Sequence, residues 1–295
     1  MAAPYPAPFE AYVAPARRHP ELWRLGLGIV LIVTVNFAFS ALLVLVLMRA
    51  SGVSPAAGEE AIGQTPGVLL VLLFAFSGLI LGSLLAVRLL HRRSFATLIG
   101  HAPTALRHFV YGAALIGAIQ AAAFLLAQGQ LDLEPNLDPR LWLLLLPLAL
   151  VGLVVQTGAE ELVFRGYLQQ QLAARFASPW IWMVLPSLAF GLLHYEPNVM
   201  GPNTWVVVGV TGVFGLIAAD LTARSGTLGL AWGLHFANNI FALTVVAPQG
   251  ALSGLALYTT PFAADDAETM RGLLLADVVL LAVIWGLCRL ALRRR

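Results

Sequence analysis

Eight apolar runs, separated by short polar connections, fix what this chain can become. They cover roughly 23–49, 66–90, 107–128, 140–173, 180–196, 203–222, 227–247 and 270–292. A helix crosses a bilayer with about 20 apolar residues. In lipid the backbone must satisfy its own hydrogen bonds, so such runs are helices rather than loops or open sheet. Of the 295 residues, 59% are hydrophobic and only 11% are charged; a soluble domain carries about 25% charged residues. The expected fold class is therefore all-α, a polytopic membrane protein. The fourth run is overlong for a single span, and the fifth is short and broken by Pro186.

No connection is long enough for a soluble domain, and no internal repeat is visible. The expectation is a disordered cytoplasmic tail over 1–22, rich in Pro and Ala, followed by one membrane domain over 23–292. The first apolar run is too long for a cleavable signal and reads as a retained span. The single cysteine, Cys288, excludes a disulfide framework and a thiolate metal cage, and reads as a small buried hydrophobe.

Charge is distributed by side. Arg17, Arg18 and Arg24 precede the first run. Arg88, Arg92, Arg93 and Arg107 lie between the second and third, and Arg175 and Arg224 fall on later alternate connections. Arg289, Arg293, Arg294 and Arg295 close the chain. The other connections carry Glu59, Glu60, Asp132, Glu134, Asp138, Glu196, Asp265, Asp266 and Glu268. By the positive-inside rule both termini are expected in the cytoplasm, in a cell (inner) membrane. Nothing in this pattern points to nucleic acid.

Ionisable residues at membrane depth face a bundle interior or a wet cavity and mark function. Glu160 and Glu161 are adjacent, with Arg165 four residues after the second. Residues four apart share a helix face, and Glu before Arg is the favourable order, so Glu161 and Arg165 are expected to pair. Glu160 lies about 100° round the helix and need not join them. It is then a desolvated carboxylate suited to act as general base toward water. A plain ion-pair cluster at a helix end is the structural alternative.

Phe190 and His194 are likewise one turn apart, as are His235 and Asn239. An imidazole and a carboxamide on one face can both donate to a developing oxyanion, or simply join helices. Helix-by-helix depth, at 1.5 Å per residue, puts His235 roughly 13 Å and His194 roughly 22 Å from their predicted cytoplasmic ends. The two meet only if helices tilt or the fourth and fifth runs begin elsewhere. Asp220 and Asp277 read as water-accessible near helix ends, and Asn36, Gln120 and Gln156 as interhelical hydrogen bonders.

Taken together, EExxxR, FxxxH and HxxxN on successive apolar runs resemble the CPBP family, the CAAX prenyl endopeptidases and bacteriocin-processing (Abi) proteins. The resemblance covers a catalytic core of about 140–245. It implies about eight transmembrane helices around a polar cavity open to the cytoplasm, and an intramembrane endopeptidase that cuts a membrane-associated peptide or protein. It also implies that Glu160 activates water with help from His194, that His235 and Asn239 hold the oxyanion, and that Glu161 and Arg165 are the supporting ion pair. The family has been described both as metal-dependent and as glutamate-dependent. This sequence lacks HExxH, which favours a route without a cofactor. A divalent metal such as zinc, held by Glu160, His194 and His235, is the alternative.

Three other readings compete. A serine protease would use Ser225 with His235, but Ala223-Arg224-Ser225-Gly226 lacks the leading glycine of a GxSG loop. A proton-coupled transporter would use buried Glu, Arg and His, yet no paired broken repeats are present. A non-catalytic membrane scaffold would keep the fold without cutting.

Overall fold

A computed structural model describes residues 6–51, 63–127, 132–250 and 252–293; Glu59, Glu60, Arg294 and Arg295 lie outside them. In chain order the helices are α1 (Ala7–Val13), α2 (Leu22–Ser51), α3 (Pro66–Ala75), α4 (Ser77–Leu85), α5 (Ala96–Ile99), α6 (Ala102–Ala127) and α7 (Pro139–Glu161). They continue with α8 (Gln170–Arg175), α9 (Leu185–Leu192), α10 (Pro197–Met200), α11 (Thr204–Ser225), α12 (Gly229–Ile240) and α13 (Thr269–Arg293). Wider π turns extend four of these elements, over Ala86–Leu90, Leu162–Gln169, Trp180–Val184 and Phe241–Val245.

The all-α polytopic expectation holds, with a smaller number of full spans. Among the described residues six helical stretches are long and apolar enough to cross a bilayer: Leu22–Arg49, Pro66–Leu90, Ala102–Leu126, Pro139–Arg175, Pro197–Ser225 and Thr269–Arg293. The fifth and seventh expected spans are shorter. Trp180–Leu192 stops before His194, and α12 with its π turn stops at Val245, where the chain turns extended. Outward faces are oily, as a lipid solvent requires: Phe37, Leu126 and Leu144 are 70%, 78% and 75% exposed.

Two features were not foreseen. The first is a small sheet at one end of the bundle, in the order β1 (Glu134–Pro135), β3 (Tyr258–Ala263), β2 (Val246–Gln249). β1 pairs antiparallel to β3, with Glu134 opposite Thr259, and β2 pairs parallel to it, with Val246 opposite Tyr258. These strands are too short, and each too interrupted by a proline, for period-2 alternation to betray them. The second concerns the tail. Disorder was expected over 1–22, yet residues 7–18 are helical, and Phe9, Tyr12 and Val13 are buried. The Phe9 ring lies 4.8 Å from that of Trp182, and the Tyr12 hydroxyl donates to the Leu98 carbonyl. The apolar residues of this Pro- and Ala-rich segment are few but fall on one side, and a pocket beneath the arginine-rich end takes them in.

The core that positions the site is the contact of α12 with α6. Gly229 and Gly233, one turn apart, lie against the backbone of Ala105 and Phe109, and a side chain at either glycine would collide with a carbonyl oxygen. Small residues at this spacing let helices approach closely where no hydrophobic force joins them in lipid. Trp232 then reaches across to α7, where its indole N–H donates to the Thr157 hydroxyl at 3.1 Å.

Gly233→Val should therefore lower the melting temperature of the purified protein, as overpacking by about 1–3 kcal/mol would. Gly26→Ala, with no atom within 4 Å of the new methyl group, should leave it unchanged or raise it slightly. A melting curve for Gly233→Val equal to the unmodified protein would contradict this packing.

Candidate active site

α7 brings the two glutamates to the middle of the bundle. Asp138 caps it, accepting from the backbone N–H of Arg140 and Leu141 at 2.9 and 3.1 Å, with Pro139 at the first helical position. The helix then runs unbroken to Glu161 and passes directly into the π turn Leu162–Gln169. Such widenings are rare and concentrate at functional positions.

Glu161 is fully buried and joins two helices. Its Oε1 accepts from the Arg165 guanidinium at 3.0 Å and from His235 Nδ1 at 2.9 Å. The expected Glu161–Arg165 pair is thus formed, and it has a third member on α12. Arg165 is itself 2% exposed and sits among aromatic faces, with its guanidinium carbon 4.7 Å from the Phe190 centroid, 5.8 Å from Phe214 and 5.9 Å from Phe164. A desolvated cation gains from such ring faces. The Phe of the FxxxH spacing is therefore part of the wall that encloses the charge.

A carboxylate can only accept, so His235 carries its hydrogen on Nδ1 and turns Nε2 the other way. There Nε2 lies 3.4 Å from Oε2 of Glu160, a buried oxygen with no hydrogen-bond partner. His194 is oriented by the same logic. Its Nδ1 donates to the Phe190 carbonyl at 2.9 Å, which leaves the Nε2 lone pair free. Asn239 spends one amide hydrogen on Gln156 Oε1 at 2.9 Å and keeps another.

Glu160, His194, His235 and Asn239 line one cavity of about 220 Å³. The sequence singled out all four, and the fold brings them together. Gln156, one turn before Glu160, acts as the interhelical bonder it was read as, but toward Asn239 within this cavity. Gln120 does the same for Asn238 at 3.2 Å. Asp277 also lines the cavity, on α13; no motif around it marks it for that place. Phe214 carried no signal either, since a lone aromatic on an apolar helix looks like any core residue. Asp220 lies elsewhere, accepting from Arg224 and the Trp285 indole to tie α11 to α13. Ser225 donates to the Thr227 carbonyl at 3.0 Å and is absent from the cavity lining, which leaves the serine-protease reading without a site.

The cavity sits between the two ends of the bundle: Val210 and Leu274 line it near the starts of α11 and α13, whereas Glu160 lies at the end of α7 far from β1. His194 lies two residues past the end of α9, the Val210–Phe214 wall falls in the first half of α11, and the Leu274–Ile284 wall spans the middle of α13; the sheet lies at the end where α13 begins. The arginine-rich end is the opposite one. Among the described residues no three His, Cys, Asp or Glu side chains converge as metal ligands. The Glu160, His194 and His235 set therefore does not fit a zinc site in this arrangement.

Residues 140–241 match the family described as "Type II CAAX prenyl endopeptidase Rce1-like". The chain is also 29% identical, over 208 residues, to "Uncharacterized protein YyaK" of Bacillus subtilis (strain 168), an alignment spanning 66% of this chain and 67% of that protein. No solved structure matches.

Glu161→Ala or Arg165→Ala should each destabilise the protein by about 3–5 kcal/mol, because the surviving charge is buried without a partner. Thermal unfolding in detergent measures this, and the pair of substitutions made together should cost less than the sum of the two. Additive losses would show that the two charges are not coupled.

Proposed function

We propose that this Rce1-like, multi-pass membrane protein is an intramembrane endopeptidase that hydrolyses a peptide bond of a membrane-associated peptide or protein, with Glu160 as general base. The observation that carries the reading is the Glu160 Oε2 atom: buried, without a partner, and beside an imidazole whose far side is anchored by Glu161.

The chemistry follows from the acceptors and donors present. A water entering the cavity meets two acceptors, the Glu160 carboxylate and His194 Nε2. They hold its hydrogens and leave an oxygen lone pair for the substrate carbonyl. As the C–O bond forms, one proton passes to Glu160. The carbonyl oxygen becomes an oxyanion that accepts from the spare Asn239 amide N–H and from Nε2 of His235, whose second ring proton is taken from solvent before the attack and kept through the cycle. Glu161 keeps His235 oriented, and Arg165 balances Glu161. Collapse of the tetrahedral species breaks the C–N bond, and the proton held by Glu160 goes to the departing amine. The products are one carboxyl and one amino terminus. The low dielectric strengthens each of these interactions relative to water.

Both termini are proposed to lie in the cytoplasm of a cell membrane, as the arginine-rich connections indicate.

Glu160→Gln keeps size and removes the base. It should leave insertion and melting unchanged while lowering cleavage by roughly 10²–10⁴-fold. The measurement is a comparison of newly formed peptide termini in membranes carrying the unmodified protein or Glu160→Gln. Identical termini in both would refute the enzyme and favour a scaffold. A side-chain-only route further predicts that dialysis against a strong chelator leaves cleavage intact. Loss restored by added zinc would overturn that part alone.

A further inference from the structure

At the arginine-rich end, away from the cavity just described, a pocket of about 420 Å³ is lined by Arg18, Arg92, Arg93, Ser94 and Thr97. It adjoins a second hollow of about 310 Å³ that shares Arg92, Arg93 and Ser94 and adds Arg88. Among the described residues, none of these four arginines has a carboxylate within 4.0 Å, whereas Arg17, Arg24, Arg165 and Arg224 each do. Three guanidinium groups and two hydroxyls therefore line one pocket, with Arg88 in the adjoining hollow and no carboxylate among the lining residues of either.

Arg93 is the anchor. It is 6% exposed, and one terminal nitrogen donates to Gln170 Oε1, whose own amide donates to the Thr97 carbonyl at 2.8 Å. Nε and Nη2 have no acceptor. Those two nitrogens form the side edge of the fork, the one that grips a phosphate or carboxylate with two parallel bonds. Leaving charged donors buried and unmatched is costly. Burial, the main influence, lowers the Arg93 guanidinium to about 10, which still leaves it cationic near neutral pH. Arg92 supplies an independent sign. Its backbone is left-handed, with φ of 51°, a conformation few non-glycine residues adopt and one that often accompanies function.

We propose that this pocket binds a phosphate ester, supplied by the headgroup of an anionic phospholipid. Height along the bundle selects the lipid over a free ion. The pocket lies just beyond the apolar stretch that ends at Leu90, beside Leu89, which is 63% exposed, and at the end where α2 begins with Trp23, 57% exposed. An acyl chain running down that oily face brings its phosphate to the level of Arg88, Arg92 and Arg93. Basic pockets of this kind at the ends of spans take anionic headgroups.

The test uses the full-length protein, purified in detergent and stripped of lipid, with phosphatidylglycerol, phosphatidylcholine or inorganic phosphate added. Native mass spectrometry and melting curves are the readouts. Phosphatidylglycerol should be retained and should raise the melting temperature, and phosphatidylcholine should do neither. The exposed substitutions Arg18→Gln and Arg92→Gln should each weaken retention about fivefold while leaving the lipid-free melt unchanged. Arg93→Lys, which keeps the charge but loses the paired edge, should weaken it too. Equal retention of both lipids, or variants that bind like the unmodified protein, would overturn the site. Stabilisation by inorganic phosphate equal to that by phosphatidylglycerol would overturn the lipid assignment.

Discussion

Glu161 is the charge on which the interior is arranged. It has no contact with solvent, and it holds Arg165 on its own helix and His235 on α12 through one oxygen. A carboxylate in that position is tolerable only because both partners are present and because aromatic rings cover the cation. Everything functional is referred to it: the tautomer of His235, the direction of its Nε2, and hence the closeness of that nitrogen to Glu160.

The fold supplies the approach that makes this triad reachable. Gly229 and Gly233 seat α12 against α6, which leaves its opposite face, bearing Trp232, His235 and Asn239, turned to α7. α7 in turn is long and unbroken, so Gln156, Glu160 and Glu161 occupy successive positions on the same contact. Phe190, His194 and Phe214 close the remaining wall from α9 and α11. With Gln120 of α6 and Asp277 of α13, these helices thus enclose a cavity of about 220 Å³. The Rce1-like match spans α7 to α12, the stretch that holds Glu160, His194, His235 and Asn239.

Spacing made part of this legible. Glu161 and Arg165 pair because four residues make roughly one turn, and this holds whether or not the rest of the fold is known. The same spacing related Phe190 to His194 and His235 to Asn239. It failed at the ends of elements. Trp180–Leu192 is too short to span, and the apolar residues that follow it look no different from helix in a hydropathy count. The short strands and the buried α1 carry too few residues for either periodicity to register.

The amino-acid sequence by itself determined that the chain lives in lipid as helices, because backbone without water must bond within its own segment. It also determined which ionisable residues are exceptional there. Only the tertiary structure decided that Glu161 is shared between Arg165 and His235, and that Asp277 joins the cavity. Those facts depend on the rotation and depth of one helix against another. Close packing of glycines and aromatics from distant parts of the chain sets both.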